Sequence, residues 1–304
     1  ITWLNLIFFS LCKFLIFFFS PIKKKFFLIG DKKKITNLHK EKKIRFDQVI
    51  NYKNFKKFIS KLTGKKIIID IKTCSIFYEK IFENKFKILR KEDPIYFLKS
   101  IKNKNEIQNM IKSHIDDGIA LTKFLYWIKV VNKKQITEFD AQNKLEKFRK
   151  KNQNYLYPSF DTIAGSGANG AIVHYRSTKK NTKIIKKNDI FLCDSGGQYK
   201  YGTTDVTRTV CFSKPKKKIK DIFTMVLKGH IAVVTSNLKN CYNGRLIDLR
   251  ARKYLKKGGL DYAHSTGHGV GFFSNVHEGP QAISRFNTIK LQEGMVISNE
   301  PGYY

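Results

Sequence analysis

Apolar residues recur at helical spacing along residues 106–131, where Ile107, Met110, Ile111, Ile115, Leu121, Leu125 and Ile128 share one face. That stripe predicts a long amphipathic helix. Thr137, followed three residues later by Asp140, predicts the cap of a second helix running through Leu145 and Phe148. A third starts near Pro215 and carries Ile219, Ile222, Phe223, Val226 and Ile231; a fourth spans 245–257 and stops at Gly258-Gly259. Between them lie short β-branched runs. Residues 65–71 (KKIIIDI) read as a buried strand, and residues 160–163 and 171–175 as two more. Residues 190–193 form a strand-like run closed by Asp194, and Asp205 opens another at 206–210. Residues 91–94 (KEDP) read as a linker, and there is no internal repeat beyond this α/β alternation.

The ends of those strands carry the candidate chemistry. Asp194 and Asp205 are eleven residues apart around Gly196, Gly197 and Gly202, a spacing that lets a hairpin fold both carboxylates onto one site. Hard cations take several oxygen ligands from rigid elements, with a histidine completing the shell. Alone, two such aspartates are more often turn or surface residues. The histidines change the weighting: His174, His264, His268 and His277 lie in the same half of the chain as the carboxylates. Gly267, Gly269 and Gly271 interleave around His268 and argue against a helix, favouring a closely packed extended strand. His114 and His230 fall within helical patterns and read as structural or surface residues. Gly165-Ser-Gly-Ala-Asn-Gly170 matches a dinucleotide fingerprint, but a strand-like run follows where that fingerprint requires a helix. A tight turn delivering His174 is the better reading.

Several stretches together resemble the pita-bread metallopeptidases, and within them the Xaa-Pro aminopeptidase (aminopeptidase P) family: 160–175, Asp194 through Thr209, His264 through Pro280, and Gly294 through Tyr304. The resemblance covers roughly residues 66–304. It implies a pita-bread α/β catalytic domain at 99–304, preceded at 1–98 by part of a smaller creatinase-like α/β domain and a linker. It implies that Asp194 binds one metal, that Asp205 bridges two, and that His268 and Glu300 complete the other shell. His174, His264 and His277 would hold substrate and steady the tetrahedral intermediate formed by a metal-bridging hydroxide. The implied cofactors are two divalent ions; oxygen-rich ligation with one histidine suits Mn, and Co or Zn would also fit. The implied partner is a peptide with proline in second position, cut by a homodimeric enzyme. In that family a second bridging glutamate lies on a strand beyond the Glu-Pro-Gly-Tyr-Tyr motif. The chain stops at Tyr304 and begins with Ile1, so the resemblance also implies a fragment of a longer protein. Two rivals share these residues: an Xaa-Pro dipeptidase (prolidase), and a binding protein of the same fold without metals. Retention of all four candidate ligands argues against the second.

Composition changes little of this. The net charge of +35 comes almost entirely from lysines in short scattered runs, such as Lys216 to Lys218, which read as a solvated face rather than a specific nucleic-acid surface. Five cysteines (Cys12, Cys74, Cys193, Cys211, Cys241) with no C-x-x-C fit a reducing, cytoplasmic compartment. Residues 1–19 are strongly apolar with one charge, Lys13, and precede Lys23-Lys24-Lys25. That run fits a strand, a membrane segment or a sequence error.

Overall fold

The computed structural model describes residues 5–12, 15–20, 25–31, 36, 39–40, 45–131 and 135–304; the opening residues 1–4, Lys13 and Lys23-Lys24 lie outside them. The chain divides into two compact units, 1–96 and 97–304.

The first unit is built on β1 (Asn5–Cys12), β2 (Leu15–Ser20), β3 (Lys25–Ile29), β4 (Val49–Ile50), β5 (Lys66–Ile69) and β6 (Lys87–Arg90), in one sheet ordered β4-β3-β2-β1-β5-β6. Apolar residues 5–12 and 15–20 thus form strands, β1 antiparallel to β2 and parallel to β5. No helix among the described residues is long and apolar enough to cross a membrane. β5 and β6 are parallel and joined by the helix Ile76–Glu83, whose Phe82 packs with Ile67, Ile69, Phe55 and Ile59 in the unit's core.

In the second unit the helix Lys104–Val131 runs 28 residues and packs on the helix Glu138–Arg149. Its buried face differs from the apolar stripe of the sequence. Met110, Leu121, Phe124 and Ile128 are buried, but Ile111 and Ile115 are 56% and 59% exposed, and the stripe is completed by buried Ser113 and Asp117. Those polar residues can be inside because they are satisfied: Arg149 Nε and Nη2 donate to the two oxygens of Asp117 at 2.7 and 2.9 Å, and Ser113 donates to Asn109 O. Thr137 caps the next helix in a reciprocal box with Asp140.

The strands fall in three small sheets. β8 (Ile163–Ser166), β9 (Ile190–Ser195) and β12 (Val206–Cys211) form one, antiparallel throughout. β7 (Tyr155–Pro158), β10 (Gly197–Tyr199) and β11 (Gly202–Thr203) form the second, and β13 (Gly267–Gly269) with β14 (Glu278–Ile283) the third. Two expected strands are corrected. Only Ile163 of 160–163 is in a strand, and 171–175 is a turn entered through the 3-10 segment Gly167–Ala171. The backbone there doubles back on itself so tightly that a Cβ on Gly165 would stand 2.7 Å from Gly170 Cα. Helices Lys217–Val234 and Gly244–Lys257 pack on each other; Asn243 caps the second by accepting from Leu246 N–H at 3.1 Å.

Candidate metal centre

β9 alternates between a core face, with Phe191 and Cys193 fully buried, and an opposite face that carries Asp194. Across the ladder Asp194 is paired with Thr207, and Asp205 stands just before β12 begins. Between them the chain makes the β10–β11 hairpin and returns at Gly196, where a Cβ would sit 1.9 Å from Thr204 O. Both aspartates therefore reach the same end of one antiparallel pair.

His268 comes from β13, where the glycine pattern has its reason: a Cβ on Gly267 would stand 2.0 Å from Ser298 O, and one on Gly269 2.4 Å from Glu278 O. The segment with Ser298 and Glu300 lies against this strand, through Ser298 N–H to His268 O and Glu300 N–H to Thr266 O, both 2.8 Å. As a result His268 Nε2 lies 3.2 Å from Asp205 Oδ2 and 3.2 Å from Glu300 Oε1. One ligand atom from each of Asp205, His268 and Glu300 lies within 4.8 Å of the others, close enough to share a cation. Asp194 stands outside that triad but within its field.

The electrostatics follow from packing like charges together. Burial first, then the carboxylates of Asp205 and Glu300, push Asp194 up to about 7. For His268 burial opposes the charged form, yet hydrogen bonds to Asp205 and Glu300 outweigh it and raise the imidazole to about 10. Burial works against the Glu300 anion as well, but bonds from His268 and Ser298 hold its carboxyl below the ordinary range. Thr207 Oγ1 donates to Asp194 Oδ1 at 2.7 Å, and Ser298 Oγ to Glu300 Oε1 at 2.6 Å. These two hydroxyls orient the candidate ligands and were not singled out in the sequence; a hydroxyl opposite, or two residues before, a carboxylate is too common to mark a site. Three acids with one imidazole, of which Asp194, Glu300 and His268 are each held by a further hydrogen bond, fit a divalent-cation donor set.

Of the other histidines, His277 touches this cluster, His264 lies within electrostatic reach of Glu300, and His174 within reach of His277. The His277 ring is 4.0 Å from that of His268, in a tilted edge contact, at the exposed rim. Burial of one side and the neighbouring His268 cation pull its pKa down. It directly precedes β14, and Gly279-Pro280 lies inside β14, which tolerates proline because that two-stranded sheet has only edges. His264 Nδ1 is 2.7 Å from Ser265 O, which assigns that nitrogen its proton; Nε2 is buried with no hydrogen-bond partner among the described residues. His174 is exposed and left-handed, with φ 55°, a conformation that costs energy for a residue with a Cβ. His230 and His114 contact backbone carbonyls, those of Asn299 and Met110. Lys102 and Glu278 form a buried ion pair beside β13, with side chains 0% and 2% exposed.

Residues 108–304 match Metallopeptidase family M24. A probable Xaa-Pro aminopeptidase P from Laccaria bicolor is 45% identical over 244 residues, covering 79% of this chain and 38% of the relative. The crystal structure of X-prolyl aminopeptidase from Caenorhabditis elegans, described as a cytosolic enzyme with a di-nuclear active site, is 30% identical with a TM-score of 0.79, over 95% of this chain and 48% of that one. The prolidase from Pyrococcus furiosus is 26% identical with a TM-score of 0.80, over 99% and 88%. The chain spans between 32% and 39% of the length of the curated relatives it matches. The architecture of the second unit is the mixed α/β pita-bread fold. With its metal-ligand residue types gathered on that fold and this match, the chain belongs to metallopeptidase family M24.

Proposed function

We propose that this chain carries most of the active site of an Xaa-Pro aminopeptidase, which releases the first residue of peptides with proline second. The observation that carries the reading is the meeting of Asp205, His268 and Glu300 within 4.8 Å, with Asp194 alongside, in a chain 45% identical to a protein of that name. Asp194, Asp205, His268 and Glu300 would hold two divalent ions, with Asp205 shared; Mn suits the donor set best. Such a pair supplies Lewis acidity toward a scissile carbonyl and acidifies water near neutral pH. The chain's own groups do the rest. The Gly269 carbonyl, 2.9 Å from His268 Nδ1, holds that ring with Nε2 toward the carboxylates. His264 presents a buried Nε2 with its hydrogen bond unspent, suited to a polar atom of the substrate. His277, kept neutral more readily than an ordinary imidazole, can take or give a proton at the rim. His174 completes the ring of imidazoles from the opposite loop.

The likeness to a prolidase supports a second reading, cleavage of Xaa-Pro dipeptides. The test is hydrolysis by the complete Mn-supplied protein of a tripeptide with central proline, beside the matching Xaa-Pro dipeptide. Cleavage of the tripeptide is expected. Cleavage of the dipeptide alone makes it a prolidase, and metal binding without either cleavage makes it a binding protein. A cytoplasmic location is proposed from the free thiols of Cys74, Cys193, Cys211 and Cys241 and from the cytosolic relative. A homodimer is proposed from the family resemblance, and sedimentation decides it.

A further inference from the structure

Behind the site, the helix Gly244–Lys257 sends one fully buried cation toward the segment that carries His264. Arg252, with its side chain 2% exposed, uses all three nitrogens of its guanidinium. Nε donates to Asp248 Oδ2 at 2.8 Å; Nη1 donates to Asp261 Oδ1 at 2.7 Å and Tyr262 O at 2.6 Å; Nη2 donates to His264 O at 2.7 Å. The planar group also lies 3.8 Å from the centre of the Tyr262 ring. Asp248, held on one oxygen by Arg252, accepts on the other from Thr266 Oγ1 at 2.6 Å. One side chain thus gathers three backbone or side-chain acceptors across residues 261–264 and, through Asp248, grips residue 266.

What this gathering fixes is the His264 imidazole. Its ring sits between Tyr262, at 4.9 Å, and Tyr304, at 5.4 Å. Its free Nε2 points to Gly302, where a Cβ would come within 3.2 Å of that nitrogen. Gly302 is two residues past Glu300, so the buried, unpartnered nitrogen faces the same end of the fold as the carboxylates.

We propose that Arg252 is a positioning residue for His264: a guanidinium clamp that sets residues 261–266 so that Nε2 meets the substrate. The proposal rests on the substrate-facing role given to His264 above. A lysine cannot replace the clamp, because an ammonium offers three donors at one point where four acceptors are spread around a planar fork.

The test is a double-mutant cycle in the complete metal-loaded protein, reading kcat on a tripeptide with central proline and bound metal per chain. Arg252→Lys should lower kcat tenfold or more with metal content unchanged, and should lower it less than twofold further when made in His264→Ala. A tenfold loss in both backgrounds, or metal lost together with turnover, overturns the proposal. If Arg252→Lys does not fold, Asp261→Asn, at the part-exposed edge of the clamp, takes its place in the same cycle with the same outcomes. If the wild-type protein cleaves no such peptide, the functional reading fails, and the clamp is read instead from histidine side-chain NMR. A displaced or broadened His264 resonance in Arg252→Lys, with that of His114 unchanged, supports the clamp; an unchanged His264 resonance overturns it.

Discussion

Asp194 and Thr207 face each other across the β9–β12 ladder, and the Thr207 hydroxyl donates to Asp194 Oδ1 at 2.7 Å. That bond favours the anion of a carboxyl that burial and its acidic neighbours would otherwise keep protonated near neutral pH. Thr207→Val keeps the shape and removes the donor. Metal affinity should fall about 10- to 100-fold, the usual range for losing a hydrogen bond behind a ligand. Calorimetric titration with Mn decides it, and an unchanged affinity would show that the hydroxyl does not tune Asp194.

The same crowding gives the chelated protein a pH dependence with a definite sign. Asp194, raised from 3.8 to about 7, contributes stability below about pH 4 that is lost as pH rises through 7. His268, raised from 6.5 to about 10, contributes fully below pH 6.5 and loses its share only as pH climbs toward 10. Glu300, lowered from 4.5, contributes above that value and loses its share in acid. Between pH 4.5 and 6.5, Asp194 alone among the three therefore sets the slope, and chelated protein should melt lower as pH rises. Asp194→Asn should flatten this part of the curve. Added Mn should raise the melting temperature most at the upper end, since binding to the folded state alone stabilises it. His277, held below its ordinary value, works in the opposite direction over this window, so the decisive reading is the difference: a slope no more negative in the chelated wild type than in Asp194→Asn contradicts the assignment.

Asp205→Ala should abolish metal loading at both positions. A shared carboxylate neutralises two cations, and the acids that remain cannot do so. Elemental analysis of the purified variant is the measurement; two retained equivalents would show that Asp205 is not shared.

His277→Ala should lower turnover far more than it weakens metal binding. The ring stands at the rim against His268, with the Asp205 and Glu300 atoms gathered on the His268 side. A donor acting on developing negative charge is worth roughly 2.7–4 kcal/mol of barrier, about 100- to 1,000-fold in rate. Turnover on a central-proline tripeptide is compared with metal per chain. A parallel collapse of both makes His277 a ligand, and no change in either makes it structural.

Much of the site's layout was legible because it is local. The eleven-residue spacing around Gly196, Gly197 and Gly202 brings both aspartates to one end of the β9–β12 pair, and glycines at 267, 269 and 271 demand extended chain packed against other backbone. The cap at Thr137 and the stop at Gly258 are likewise contacts between near neighbours in sequence.

The failures share the opposite character. The inward face of the Lys104–Val131 helix contains Ser113 and Asp117, so hydrophobicity alone rotated the predicted face onto exposed Ile111 and Ile115. Asp117 is inside only because Arg149, 32 residues away, satisfies it. The run at 171–175 has strand-forming residues but pairs with no strand among the described residues, and a strand without a partner leaves its backbone unsatisfied. The Arg252 clamp and the buried Lys102–Glu278 pair are equally silent in sequence. By itself the chain marked candidate residues for the chemistry and the strands that hold Asp194 and His268, since spacing and the glycine pattern act over a few residues. Which polar groups are buried, and what grips the backbone around His264, only the tertiary structure decided: a buried charge is tolerated only beside its partner, and that partner is supplied by the fold.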